Sequence, residues 1–169
     1  MDRILNMLKD LVCNYLLISA VCAWFVAQII KFSIGLFNKK KKSLKDFVFS
    51  MGGMPSSHSA TMMGLTTAAA LRDGFGSSVF AVCAIFSIIV MRDAFGVRYQ
   101  TGKQAKLLNS LMKKENQNNA DSAQNGAVSE NLPNDPAFDE SVGHTPMQVV
   151  VGAIVGVVVG IVLAFIFVY

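Results

Sequence analysis

Charge is scarce in this sequence: Asp, Glu, Lys and Arg together make 15% of its 169 residues, against a hydrophobic share of 53%. Soluble domains carry about a quarter charged residues, so the deficit excludes an ordinary water-solvated surface and points to lipid. Cysteine is almost as rare. Cys13, Cys22 and Cys83 each lie inside an apolar run with no metal-ligand spacing, which excludes a disulfide framework; they read as buried small hydrophobes. The basic excess is only +4 and is not interleaved with aromatics, so no nucleic-acid partner is expected. Histidine occurs at two places, His58 and His144.

What the chain does contain is long apolar runs within a length suited to one domain, residues 1–169. The first run extends from Leu11 to about Gly35, broken only by Asn14, Ser19, Gln28 and Lys31. A span needs roughly 20 mostly apolar residues, and no small-residue cleavage site follows, so a transmembrane helix is favoured over a signal peptide. Residues 1–10 alternate apolar and charged groups and extend this helix or lie at the interface. A second helix is expected from the PSSHS sequence to Leu71, a turn at Arg72 to Gly76, and a third helix from about Ser78 through Met91. Residues 104–114 space leucines helically with lysines opposite, as a short amphipathic surface helix does. The polar stretch at about 115–140 cannot bury enough surface to offset its ordering entropy and reads as a disordered loop. Met147 to Tyr169 is charge-free and forms the last span, with Gly152, Gly156 and Gly160 four apart on one face for close helix packing. The expected fold is all-α, a polytopic membrane bundle of about four transmembrane helices.

Lysine and arginine concentrate at residues 39–45 and 92–114, which predicts that both stretches are cytoplasmic. With four spans, the cytoplasmic helix ends would carry Lys31, the PSSH run, the RDAFGVR run and the GHTP run. Every polar group of interest then meets at one membrane face.

Each histidine opens a predicted helix beside proline and hydroxyl residues: Pro55, Ser56 and Ser57 around His58, Thr145 and Pro146 after His144. Proline suits a first helical position after a hydroxyl cap. A helix amino terminus presents unpaired N–H groups and partial positive charge, which attract phosphate and disfavour protonation of a nearby imidazole. Ordinary capping accounts for either motif alone.

Taken in order, the motifs are specific. PSSHSA (Pro55 to Ala60), within GGMPSSHSAT, resembles the PSGH motif of the phosphatidic acid phosphatase type 2 and vanadium-dependent haloperoxidase superfamily. GHTPMQVVVG (Gly143 to Gly152) resembles its third motif, and with RDAFGVR between them the set looks like a divergent branch of that superfamily. The resemblance implies an integral-membrane, cofactor- and metal-independent phosphatase acting through a phosphohistidine, on a lipid phosphate or isoprenoid diphosphate. It implies His144 as nucleophile and His58 as the acid for the leaving oxygen. Lys31, Ser56, Ser57 and the backbone near Gly52 and Gly53 would hold phosphate oxygens, and vanadate would inhibit.

The sequence also departs from that pattern. Asn38 and Lys39 stand where the superfamily has an Arg-Pro pair, the Ser-Arg pair before the nucleophile is missing, and Gln148 replaces the aspartate that orients it. Asp93 and Arg98 are candidates to fill these vacancies. On an ideal helix they point roughly 140° apart, so they meet only if the helix loosens near Gly96. The departures keep a second reading open: a catalytically silent relative that binds or assembles in the membrane.

Overall fold

The computed structural model describes residues 2–37, 53–123, 138–140 and 142–167. These form α1 (Asp2–Val12), α2 (Tyr15–Phe37), α3 (Ser57–Asp73), α4 (Ser78–Phe95), α5 (Val97–Ala123) and α6 (Pro146–Phe167), with no strand among the described residues.

The side-chain pattern is that of a protein solvated by lipid. On α2 the large residues Val21, Phe25, Ile29 and Leu36 face outward, while Ser19, Ala20, Ala23, Ala27, Gln28 and Lys31 are buried. Lipid tails are as apolar as leucine, so burying large side chains between helices gains little; small residues that let backbones approach gain more. The α3–α6 seam shows this best. A methyl at Gly152 would collide with the Ser56 backbone, one at Gly156 with the Ala60 carbonyl, and one at Gly160 with Thr67. Residue numbers rise together along both helices, so α3 and α6 run parallel, and Ser56 N–H donates to the Gln148 carbonyl at 3.0 Å. Both helices therefore start at the same end of the bundle.

At the other end Tyr15, which opens α2, donates to the Gly160 carbonyl at 3.0 Å and stacks on Phe167. Two hydroxyls tie α3 to α4 within the apolar interior, Thr66 Oγ1 and Ser87 Oγ lying 2.7 Å apart, with the Met62 carbonyl accepting from both.

Several sequence expectations change. Among the described residues three helices, not four, are long and apolar enough to cross a membrane: Tyr15–Leu36, the apolar part of Ser78–Gln117, and Pro146–Phe167. The exception, α3, has 17 residues and spans only about 25 Å at 1.5 Å per residue. It sits against α2, α4 and α6 together, so those helices meet most of the lipid in its place. The surface helix is longer than expected, α5 running to Ala123 where a loop was anticipated from residue 115. Phe138 and Glu140 are likewise held in place by hydrogen bonds; residues 124–137, the rest of that loop, lie outside the described residues. The amino-terminal residues form a separate helix, broken from α2 at Asn14, whose side chain accepts from Leu16 N and Leu17 N. Cys13 is exposed at this break and Cys22 and Cys83 are half-buried, all three free, so the cysteines are not the buried residues expected.

Candidate active site

The local sequence places His58 and His144 at two neighbouring helix starts. Ser56 caps α3, its hydroxyl accepting from Ser59 N and Ser59 Oγ. At α6, Gln148 reaches back to accept from Thr145 N at 3.0 Å, the half of a capping box in which the third helical residue satisfies the cap's own N–H. The same oxygen lies 3.2 Å from His144 Nδ1. A backbone N–H can only donate, so the Gln148 atom there is the carbonyl oxygen and not the amide nitrogen. In the neutral imidazole the proton is then on Nδ1, and Nε2 carries the lone pair.

His144 is almost wholly buried, at 2% exposure, and its Nε2 has no hydrogen-bond partner among the described residues. Its pKa lies below the ordinary histidine value. Burial is the main cause; the nearby Lys31 and His58 charges add to it, while hydrogen bonding to Gln148 opposes it. The His58 ring faces His144 edge-on, centroids 6.3 Å apart. A cleft of about 300 Å³ opens here, lined by His58, Asp93, Arg98 and His144 on its polar side and by Ile89, Val90, Ala94 and Val142 on its apolar side.

Asp93 and Arg98 do meet. Helix α4 ends at Gly96, whose backbone leaves helical geometry (φ −96, ψ −93), and across this break Arg98 Nε donates to Asp93 Oδ2. Both side chains are substantially exposed, so the pair is a weak constraint in itself. Lys31 is buried inside the bundle with its stem beneath Gly53, where a methyl would lie 3.6 Å from Cγ and Cδ. It points inward rather than out to the headgroups. Ser56 and Ser57 are buried but do not line the cleft; Ser56 Oγ serves the helix cap. Gly53, at φ +98, stands beside Lys31 and off the cleft wall. Gly52 and residues 38–45 lie outside the described residues.

Sequence reasoning missed how His144 is presented. A strap described at residues 138–140 and 142–143 returns along α5 to reach it. The Asn109 side chain accepts from Phe138 N and donates to Phe138 O and Glu140 Oε1. Gly102 admits the Val142 carbonyl, and Gly143, at φ +92, lies directly on the Tyr99 backbone. His144 N–H then donates to Ala94 O at 3.0 Å, filling a carbonyl left open where α4 ends. The signal was legible in principle: Gly102, Ala105 and Asn109 are a small and polar set on one face of an otherwise leucine- and lysine-bearing helix, and all three are buried.

Comparison with known proteins matches the model of the divergent PAP2 family over residues 12–159, which takes in α2, both histidine motifs and most of α6. The chain belongs to the divergent PAP2 family. Within reach of this divergent PAP2 chain is a Bacillus subtilis (strain 168) protein named as an uncharacterized membrane protein, YuiD, 39% identical over 160 residues, covering 94% of this chain and 99% of its own. No solved structure matches. Membership in the divergent PAP2 family and the three apolar helices make this an integral membrane protein of the PAP2-related kind.

Proposed function

We propose that this protein hydrolyses a lipid phosphate or isoprenoid diphosphate at the membrane interface through a phosphohistidine. The observation that carries the reading is His144: a buried, neutral imidazole with Nδ1 held by Gln148 and Nε2 without a hydrogen bond among the described residues, facing His58 across a cleft. Nε2 attacks phosphorus, a P–N bond forms, and the P–O bond to the leaving group breaks as His58 supplies a proton to that oxygen. Water, deprotonated by His58, then attacks the phosphohistidine and releases phosphate, restoring Nε2. The charge spread over the equatorial oxygens is met by Lys31, Arg98 and the amino termini of the two parallel helices, the kind of preorganised positive field phosphoryl transfer needs. The apolar wall at Ile89, Val90 and Val142 suits the first carbons of a lipid tail, and Ile89 is itself exposed toward lipid. The basic RDAFGVR segment sits at this end, which favours a cytoplasmic site.

A second reading has its own support. Nε2 is sealed from solvent, Arg98 is engaged with Asp93, and Gln148 offers no charge to an imidazolium. A binding or assembly protein that holds phosphate without turnover fits those facts. Phosphate release by purified protein in detergent, across a panel of lipid phosphates and diphosphates, decides between them. Release that vanadate inhibits supports the hydrolase; vanadate or phosphate binding with no release on any substrate supports the silent relative.

A further inference from the structure

Helix α5 presents three faces at 100° per residue. Gly102, Ala105 and Asn109 face the strap at residues 138–140 and 142–143 and are buried. Val97, Leu107, Leu108 and Leu111 lie in a second, exposed sector that no described segment covers and that they share with the polar Gln100, Gln104 and Glu115; Lys103, Lys106, Lys113 and Lys114 lie in a third, also exposed. The three sectors are centred roughly 100–140° apart. Glu115 is the acidic side chain described on the helix, against these four lysines. Helix α5 also begins one residue after α4, whose outward Ile85, Ile88 and Ile89 mark it as lipid-facing, so the bilayer surface is within immediate reach of the leucine row.

The geometry points to α5 as a docking strut: its leucine row inserts into an anionic bilayer surface with Lys103 and Lys114 beside it, and docking steadies the strap on the far face that presents His144. Charge selects the occupant. A second protein copy would bring the same four lysines against each other, whereas anionic headgroups neutralise them and amphipathic helices with flanking lysines bind such surfaces. Docking fixes the helix to which Asn109 and Gly102 hold the strap; an undocked α5 is free to pivot about the break at Gly96. The inference goes beyond the proposed hydrolysis and does not depend on turnover.

The test uses the full chain in lipid nanodiscs, either phosphatidylcholine alone or with added phosphatidylglycerol. Leu111→Trp on a Trp24→Phe background gives a single reporter, with Leu108→Trp as a second should the first fail to fold. The expected result is blue-shifted emission, quenched by bromine-labelled acyl chains when phosphatidylglycerol is present. Each lysine at the surface is worth about fivefold in attraction, so replacing Lys103 and Lys114, the two that border the leucine row, by Gln lowers the docking equilibrium about 25-fold, and high salt acts in the same direction. Amide exchange at Phe138 and at Val142 to His144 slows severalfold in the anionic discs. Equal quenching in both lipids, or none in either, overturns the docking. Blue-shifted emission without lipid quenching assigns the row to a protein partner and also overturns it. Docking that leaves exchange in the strap unchanged overturns the coupling to His144.

Discussion

At His144 the two ring nitrogens meet different chemistry, Nδ1 a fixed acceptor and Nε2 a buried space with no partner among the described residues. His144→Ala is expected to abolish phosphate release on every substrate, because each must pass through the nucleophile. His58→Ala leaves a slower enzyme, down about 10²- to 10⁴-fold, with the largest loss on substrates whose leaving oxygen is most basic. Turnover that survives His144→Ala overturns the assignment. The lowered His144 pKa also has a consequence for stability. In the unfolded chain the imidazole takes up its proton near pH 6.5, whereas the folded protein takes it up only at lower pH, so the unfolded state binds more protons as pH falls below that point. Stability therefore holds at neutral pH and declines as acid is added. His144→Asn flattens that decline in a thermal melt. Gln148→Glu keeps the acceptor for Thr145 N–H and adds a negative charge beside Nδ1, which raises the folded pKa: the acid limb of the rate profile moves to higher pH, while the decline of the melt with acid becomes shallower. An unmoved limb would show that Gln148 does not set the state of the ring.

Helices α3 and α6 touch through backbone, and that contact sets the distance between their amino termini. Gly156→Val pushes side-chain carbons into the Ala60 carbonyl and the Gly64 N–H and is expected to cost about 1–3 kcal/mol or more. Ile154→Val, on the exposed face of the same helix, stays within about 0.5 kcal/mol. Comparable melting temperatures for the two variants would mean the seam can relax. The long connection between α5 and α6 divides in the same way. Replacing residues 124–137 by a short Gly/Ser linker leaves the melt nearly unchanged, since loop-closure entropy depends only weakly on length. Extending the replacement through Phe138–Glu140 removes the partners of Asn109, so amide exchange at Val142 to His144 quickens and phosphate release falls. A linker that leaves those amides as protected as before would show that Asn109 does not hold the strap.

On the scale of the whole molecule, two polar ends face opposite sides of an apolar belt. Tyr15, Arg72 and Gly76 lie at one end; Lys31, His58, Arg98 and His144 lie at the other. If the second end is cytoplasmic, Gly76→Cys reacts with an impermeant thiol reagent added to intact cells, and Gln100→Cys, exposed on α5, resists until the membrane is opened. Cys13 needs replacement by Ser in both, because it is exposed at the same end as Gly76. Labelling of Gln100→Cys from outside reverses the orientation and moves the cleft to the other leaflet.

Local chemistry in the chain already determined much of this protein. Apolar runs of spanning length, scarce charge and the glycine spacing of the last helix specify an all-helical membrane protein, and the two histidine motifs place it in its family. Pro146 after Thr145 marked the start of α6, although Gln148 supplies the cap contact where a hydroxyl was expected. Other features exist only once helices pack. Span number is one: α3 has helical content but too little length, and whether three neighbours sheathe it is a matter of packing, which hydropathy does not encode. The Asp93–Arg98 pair is another, because five residues set two side chains on different faces until Gly96 breaks the helix between them. The inward turn of Lys31 and the strap on Asn109 depend on contacts across 22 and 29 positions of chain, Lys31 to Gly53 and Asn109 to Phe138. Periodicity reports which side of a helix is small or polar, but the partner of that side is chosen by close backbone approach in three dimensions.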